Sequence, residues 1–190
     1  ASNAWIAQPL DEENRAIHAE ISQLSINSSD LQTWANLLAP EHHQERLFRA
    51  IKNITYEGTI DYAQGEISSQ GNISTGLGNA SYDLTYDQEH FLMGTFKGDS
   101  INIGELQDNG QFGTTSFDLD LAMNLDDLKP FPAGKVTGTI YNFHYNGYNY
   151  KNITLDARST SKQLEGTVSI DDENVKADAD FTYADSPIKD

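Results

Sequence analysis

Apolar residues fall at every second position through much of the chain, the period of a strand with one face in a core and the other in water. The clearest run is "TSFDLDLAMNL", with Phe117, Leu119, Leu121, Met123 and Leu125 on one side and Asp118, Asp120, Ala122 and Asn124 on the other. "GNASYDLTYD" aligns Ala80, Tyr82, Leu84 and Tyr86. "KNITLDA" aligns Ile153, Leu155 and Ala157, and "QLEGTVSI" aligns Leu164, Val168 and Ile170. "NVKADADFTY" sets Val175, Ala177, Ala179, Phe181 and Tyr183 against Lys176, Asp178, Asp180 and Thr182. "HFLMGTFKG" reads as a strand of mixed face. In "DSINIGEL" the alternation lapses. Leu106 follows Ile103 by three, which suits a helical turn capped by Asp99 or Ser100.

Ahead of Asn53 the pattern differs. Ile17, Ala19 and Ile21 share one face, then Leu24 and Ile26 take up the other parity, which predicts a bulge or two short strands. In "SSDLQTWANLLAP", Ser28, Ser29 or Asp30 can cap a helix carrying Leu31, Trp34, Leu37 and Leu38. Pro40 ends it, and Leu47, Phe48 and Ile51 form a second stripe. The expectation is a short helical hairpin over about 29–51.

The strands are joined by short polar links: Asn146-Gly147, Ser-Thr-Ser near 160, and 171–174. Links of that length join antiparallel neighbours. Gly58, Gly71, Gly94, Gly138 and Gly166 fall inside strand patterns, where they permit bends. The predicted fold is mainly β: a curved antiparallel up-and-down meander, taco-like or sandwich-like, with a short N-terminal helical hairpin. Residues 1–52 would supply the first strand or strands and the hairpin, and 53–190 the meander. Together they read as one structural unit excised from a longer protein, with Ser-Asn-Ala at the start either native or left by tag cleavage. The apolar face needs cover. The helices are too short to provide it, so the sheet folds over, closed and filled or open as a trough.

Charge narrows the partners. Acidic residues number 29 against 12 basic ones, a formal net charge of −17. Nucleic acid and anionic membrane surfaces are disfavoured, because both are bound through Lys and Arg. Neutral ligands and lipid tails remain open. With no cysteine, thiolate chemistry and disulfides are excluded. No stretch approaches the ~18 apolar residues of a membrane-spanning helix.

Candidate chemistry is sparse. His42, His43 and Glu45 lack the i, i+4 spacing that turns two ligands to one side of a helix, and suit a solvated loop. Asp118 and Asp120 could form an acid/base pair only in a pocket; on an outward strand face they solubilise. Asp171, Asp172, Glu173 and Asn174 lack the alternation and glycine of a calcium loop and read as a polar turn. Asn-x-Ser/Thr triplets begin at Asn27, Asn53, Asn72, Asn79 and Asn152, a chance product of the composition. "GLGNAS" has glycines but no helix to follow them. No enzyme, metal or cofactor is expected. The densest feature is "YNFHYNGYNY". Tyr141, Phe143 and Tyr145 share one strand face, and Tyr148 and Tyr150 return across Asn146-Gly147, a pair suited to a type I′ turn. Cross-strand packing accounts for this spacing. A sugar-stacking platform, as in a secreted carbohydrate-binding or adhesin module, would use the same rings.

"YNGYNYKNITLDA", "LEGTVSIDD" and "VKADADFTY", with "GNISTGLGNASYDLTYD", "FLMGTFKGDSINIGEL" and "LSINSSDLQTWANLL" upstream, resemble the AsmA-like envelope proteins of the TamB (translocation and assembly module) family. The resemblance implies a periplasmic protein held to the inner membrane by a segment outside this chain. It implies a curved sheet with an apolar inner groove that moves phospholipid to the outer membrane or assists protein assembly there. Its partners would be acyl chains or outer-membrane protein clients, and adjacent repeats of the longer protein. It brings no catalytic residues. By the same resemblance Tyr82, Leu84, Phe117, Leu119, Leu121, Ile153, Leu155, Val168, Ile170 and Phe181 would line the groove or core.

Overall fold

Alternation of this kind leaves every backbone N–H and C=O to be paired with a neighbouring strand, and short polar links make that neighbour the next one in sequence. The computed structural model describes residues 2–7, 15–27, 29, 30, 33, 50–126 and 132–184. Its strands are β1 (Asn3–Ala7), β2 (Ala16–Asn27), β3 (Asn53–Ala63), β4 (Glu66–Thr75), β5 (Gly78–Tyr86) and β6 (Phe91–Asn102). After a short helix α1 (Ile103–Gln107) come β7 (Phe112–Asn124), β8 (Ala133–Tyr145), β9 (Tyr148–Ser159), β10 (Gln163–Asp171) and β11 (Lys176–Ala184). They form one 11-stranded sheet in strict sequence order, every neighbouring pair antiparallel. The meander is up-and-down and not closed: β1 and β11 are its two edges.

Turn chemistry holds the register. Asn146 (φ 50°) and Gly147 (φ 82°) both sit at positive φ, as a type I′ turn requires. Gln64 (φ 52°) and Gly65 (φ 80°) make the same kind of turn between β3 and β4. The parity change in β2 is a register shift between Ile21 and Leu24 against β3.

Two expectations change. The lapse in "DSINIGEL" is a helical turn, but its cap is Asn102, not Asp99 or Ser100. Asn102 accepts from the Glu105 amide at 3.0 Å. β6 continues past the expected caps because Asp99 still pairs with Asn79 and the Ser100 amide donates to Ser116 Oγ at 2.9 Å. The helical hairpin over about 29–51 lies almost wholly outside the described residues and has no support here; α1 is the one helix described throughout.

Burial shows why the sheet is a layer, not a filled barrel. A closed core would hold large side chains cut off from water. Among the described residues none is below 2% exposed, and Ile153 (6%) and Ala157 (8%) are the most buried apolar side chains within the strands.

Candidate functional site: one apolar sheet face

Cross-strand partners point to the same side of a sheet, so the register assigns every residue to a face. One row of partners runs Ile21, Gly58, Gly71, Tyr82, Phe96, Leu119, Gly138, Leu155, Val168, Ala179. Nothing in it is charged. The row on one side joins Ile60, Ser69, Leu84, Gly94, Leu121, Val136, Ala157, Gly166 and Phe181. The row on the other side joins Leu24, Tyr56, Ile73, Ala80, Gly98, Phe117, Ile140, Ile153 and Ile170. The opposite surface of the same strands carries Glu57, Asn72, Ser81, Lys97, Asp118, Thr139, Thr154, Ser169 and Asp178 in one row. The sheet is therefore apolar on one side and polar on the other across its width.

The residues named from the sequence as groove or core lining all stand on the apolar side: Tyr82, Leu84, Phe117, Leu119, Leu121, Ile153, Leu155, Val168, Ile170 and Phe181. Most are half-buried, shaded by neighbours within the layer. Ile60 (40%), Ile67 (41%) and Leu24 (43%) on this side remain well exposed. Sequence reading missed Tyr56, Phe96, Val136 and Ile140. In β3, β4 and β8 glycine or serine occupies alternate apolar-side positions, as in "KVTGTI" and "ISSQGNI", and the visible alternation is diluted.

Glycine also shapes this surface. At Gly98 an added Cβ would lie 2.5 Å from the Phe117 ring, so that ring rests on bare backbone. Gly94 sits at φ 137°, and a Cβ there would meet the Asp83 carbonyl at 2.0 Å.

The aromatic hairpin divides. Phe143 pairs with Thr115, which pairs with Ile101. Ile101, like the Phe117 ring, approaches the Cβ direction of Gly98, so Phe143 belongs to the apolar side. Tyr145 stacks on Phe143 (6.4 Å between centroids, 10° between planes), and Phe112 contacts both. Tyr150 pairs with Phe143 and Tyr148 with Tyr145. Tyr141 does not share their face. The β7–β8 register shifts between Ser116 and Phe117, Tyr141 loses its place in the alternation, and, next in sequence to the apolar-side Ile140, it stands 52% exposed on the polar side. Tyr148 and Tyr150 meet edge to face at 66°. The rings do not make one coplanar platform.

Asp172 ties this hairpin to the next loop. Only 3% exposed, it accepts from the Tyr148 hydroxyl, from the Lys151 amide at 3.1 Å and from the Asn174 amide at 2.9 Å. The Tyr148 bond first, then the Asn174 amide, hold its carboxyl below the usual aspartate range. The same bond raises the Tyr148 phenol. The 171–174 stretch is thus a turn whose carboxylate serves as an internal acceptor, and no metal-ligating group of residues occurs among the described residues. Asp118 is held by Lys97 at 2.7 Å on the polar face, next to an open depression of about 600 Å³ lined by Thr55, Glu57, Asn72, Asn79 and Ser81. That arrangement is a solvated ion pair, with Asp120 exposed on the same strand side. His42, His43 and Glu45 lie outside the described residues. Asn27, Asn53, Asn72, Asn79 and Asn152 all belong to strands.

Compared with known proteins, the chain matches no protein-family model, no curated protein and no solved structure.

Proposed function

We propose that this chain is a segment of a periplasmic AsmA/TamB-like scaffold whose apolar sheet face shelters phospholipid acyl chains on their way to the outer membrane. One observation carries the reading: rows of apolar side chains cross the whole sheet, yet among the described ones only Ile153 and Ala157 are buried and none is below 2% exposed. An acyl chain laid on such a surface gains about 0.8 kcal/mol for each methylene fully buried, and roughly half that where one side stays in water. The gain does not depend on ligand charge, which suits a chain of net charge −17. In this reading the sheet curls, taco-like, about its apolar side, and adjacent repeats of a longer, inner-membrane-anchored protein extend the surface. Outer-membrane protein clients are the alternative cargo, bound by the same face. The mechanism is passive and needs no catalytic group.

Native mass spectrometry of gently purified protein should find bound phospholipid, and the protein should take up a pyrene-labelled phospholipid from vesicles. Leu119→Glu with Leu155→Glu puts carboxylates in the central row and should cut uptake by about tenfold or more. No copurifying lipid together with no uptake by the wild-type chain would sink the reading.

A further inference from the structure

One place on the apolar face is polar by construction. Tyr56 lies flat along the sheet, because Gly58 and Gly71 leave its path clear: a Cβ at Gly71 would fall 2.7 Å from the Tyr56 ring, and one at Gly58 would fall 2.5 Å from its hydroxyl. The hydroxyl thereby reaches Tyr82 Oη at 2.9 Å. Tyr82 Oη in turn lies 3.0 Å from Ser69 Oγ, and Ser69 Oγ lies 2.9 Å from the Thr59 carbonyl.

The proton count fixes the direction of this relay. Each hydroxyl has one proton to give. A carbonyl only accepts, so the Ser69 proton goes to Thr59 O. The Ser69–Tyr82 bond must then use the Tyr82 proton, and the Tyr56–Tyr82 bond must use the Tyr56 proton. All the protons are spent inward. What the cluster still offers is lone pairs, foremost on Tyr56 Oη at the end of the relay. Burial, then the bond with Tyr82, raises the Tyr56 phenol above the ordinary tyrosine value, so it stays neutral.

We propose that the Tyr56–Tyr82–Ser69 relay is a recognition point for a hydrogen-bond-donating head, an O–H or N–H group, on an otherwise aliphatic ligand. It disfavours a carboxylate, or a phosphate turned towards it, because these bring only acceptors to a surface that already presents acceptors; a phospholipid would meet the relay through an O–H or N–H of its head group, with its phosphate turned away. The net charge of −17 works in the same direction. The proposal rests on the acyl-binding reading and adds which head group the face prefers.

The test compares 1-decanol with its O-methyl ether, which keeps the chain and the oxygen but has no proton to donate. Both compete with Nile red, a neutral dye, on the wild-type protein. One net hydrogen bond predicts that decanol binds about three- to tenfold tighter. Tyr56→Phe removes the outermost lone pairs but uncovers those of Tyr82, so it should lower the ratio in part with ether binding unchanged; Tyr56→Phe combined with Tyr82→Phe and Ser69→Ala removes every hydroxyl acceptor of the relay and should bring the ratio to about one. Tyr82→Phe frees the Tyr56 proton, which either probe's oxygen can accept, and should shrink the ratio towards one by strengthening ether binding; Ser69→Ala gives a milder version if the tyrosine variants fold poorly. A merely structural role for the relay would weaken both probes alike. Equal binding of the two probes to the wild-type protein, or a parallel loss in Tyr56→Phe, overturns the proposal and leaves the acyl-binding reading standing. If neither probe displaces Nile red, the acyl-binding reading fails and takes the proposal with it.

Discussion

At Asp172 a residue that reads as part of a polar turn in sequence is a fixed internal acceptor. Its bonds to the Tyr148 hydroxyl and to the Lys151 and Asn174 amides all favour the ionised carboxylate. The folded-state pKa is lowered below the unfolded one, so the unfolded chain binds more protons in acid. The contribution is complete above the unfolded value, about 3.9, and is lost as pH falls through the folded value. Asp172→Asn should therefore lower the urea midpoint at pH 7, and its deficit against wild type should shrink towards pH 3. A deficit constant across that range would remove the carboxylate from the account. The sequence could not announce this role: "IDDENV" places several acids side by side, and only the β9–β10 packing selects which one meets Tyr148.

Element by element, legibility followed how fully a strand used its alternate positions. β7, β9 and β11 carry a side chain at nearly every apolar-side position and were readable outright, as was the Asn146-Gly147 turn. β8 alternates just as regularly, but Gly134 and Gly138 leave blanks where a hydrophobe would be counted. The facing of Tyr141 was misjudged because a register shift reverses alternation and leaves no mark in composition. The cap of α1 was displaced because Ser116, remote in sequence, holds Ser100 in the strand. The blanks have a mechanical role that can be measured. Gly94→Ala forces a side chain into φ 137° and against the Asp83 carbonyl, between β5 and β6, and should cost on the order of 1–3 kcal/mol. Gly110 has nothing within 4 Å of its Cβ position, so Gly110→Ala should change stability by no more than about 0.5 kcal/mol. Urea denaturation of both variants makes the comparison; equal costs would mean that the in-strand glycines are not conformationally required.

Across the whole molecule two opposed surfaces must be reconciled: an apolar face that favours association and a net charge of −17 that resists it. The acids crowd the polar side and edges, so two copies meeting apolar face to apolar face keep their charges on the outside, a sheet thickness or more apart. Stacked sheets lie about 10 Å apart, comparable with the Debye length of about 10 Å at 0.1 M salt. Below that ionic strength repulsion reaches across the contact; above it, little is left to oppose burial of apolar surface at about 25 cal/mol per Å². The delipidated chain should therefore sediment as a monomer at 10 mM NaCl and as a dimer or larger species at 500 mM NaCl. Saturating decanol should restore the monomer at high salt by occupying the same face. Leu119→Glu with Leu155→Glu should hold it monomeric at both concentrations. Association that weakens with added salt would point to ion pairing between edges or polar faces, through contacts such as Lys176 or Asp178, and would separate self-association from the apolar surface.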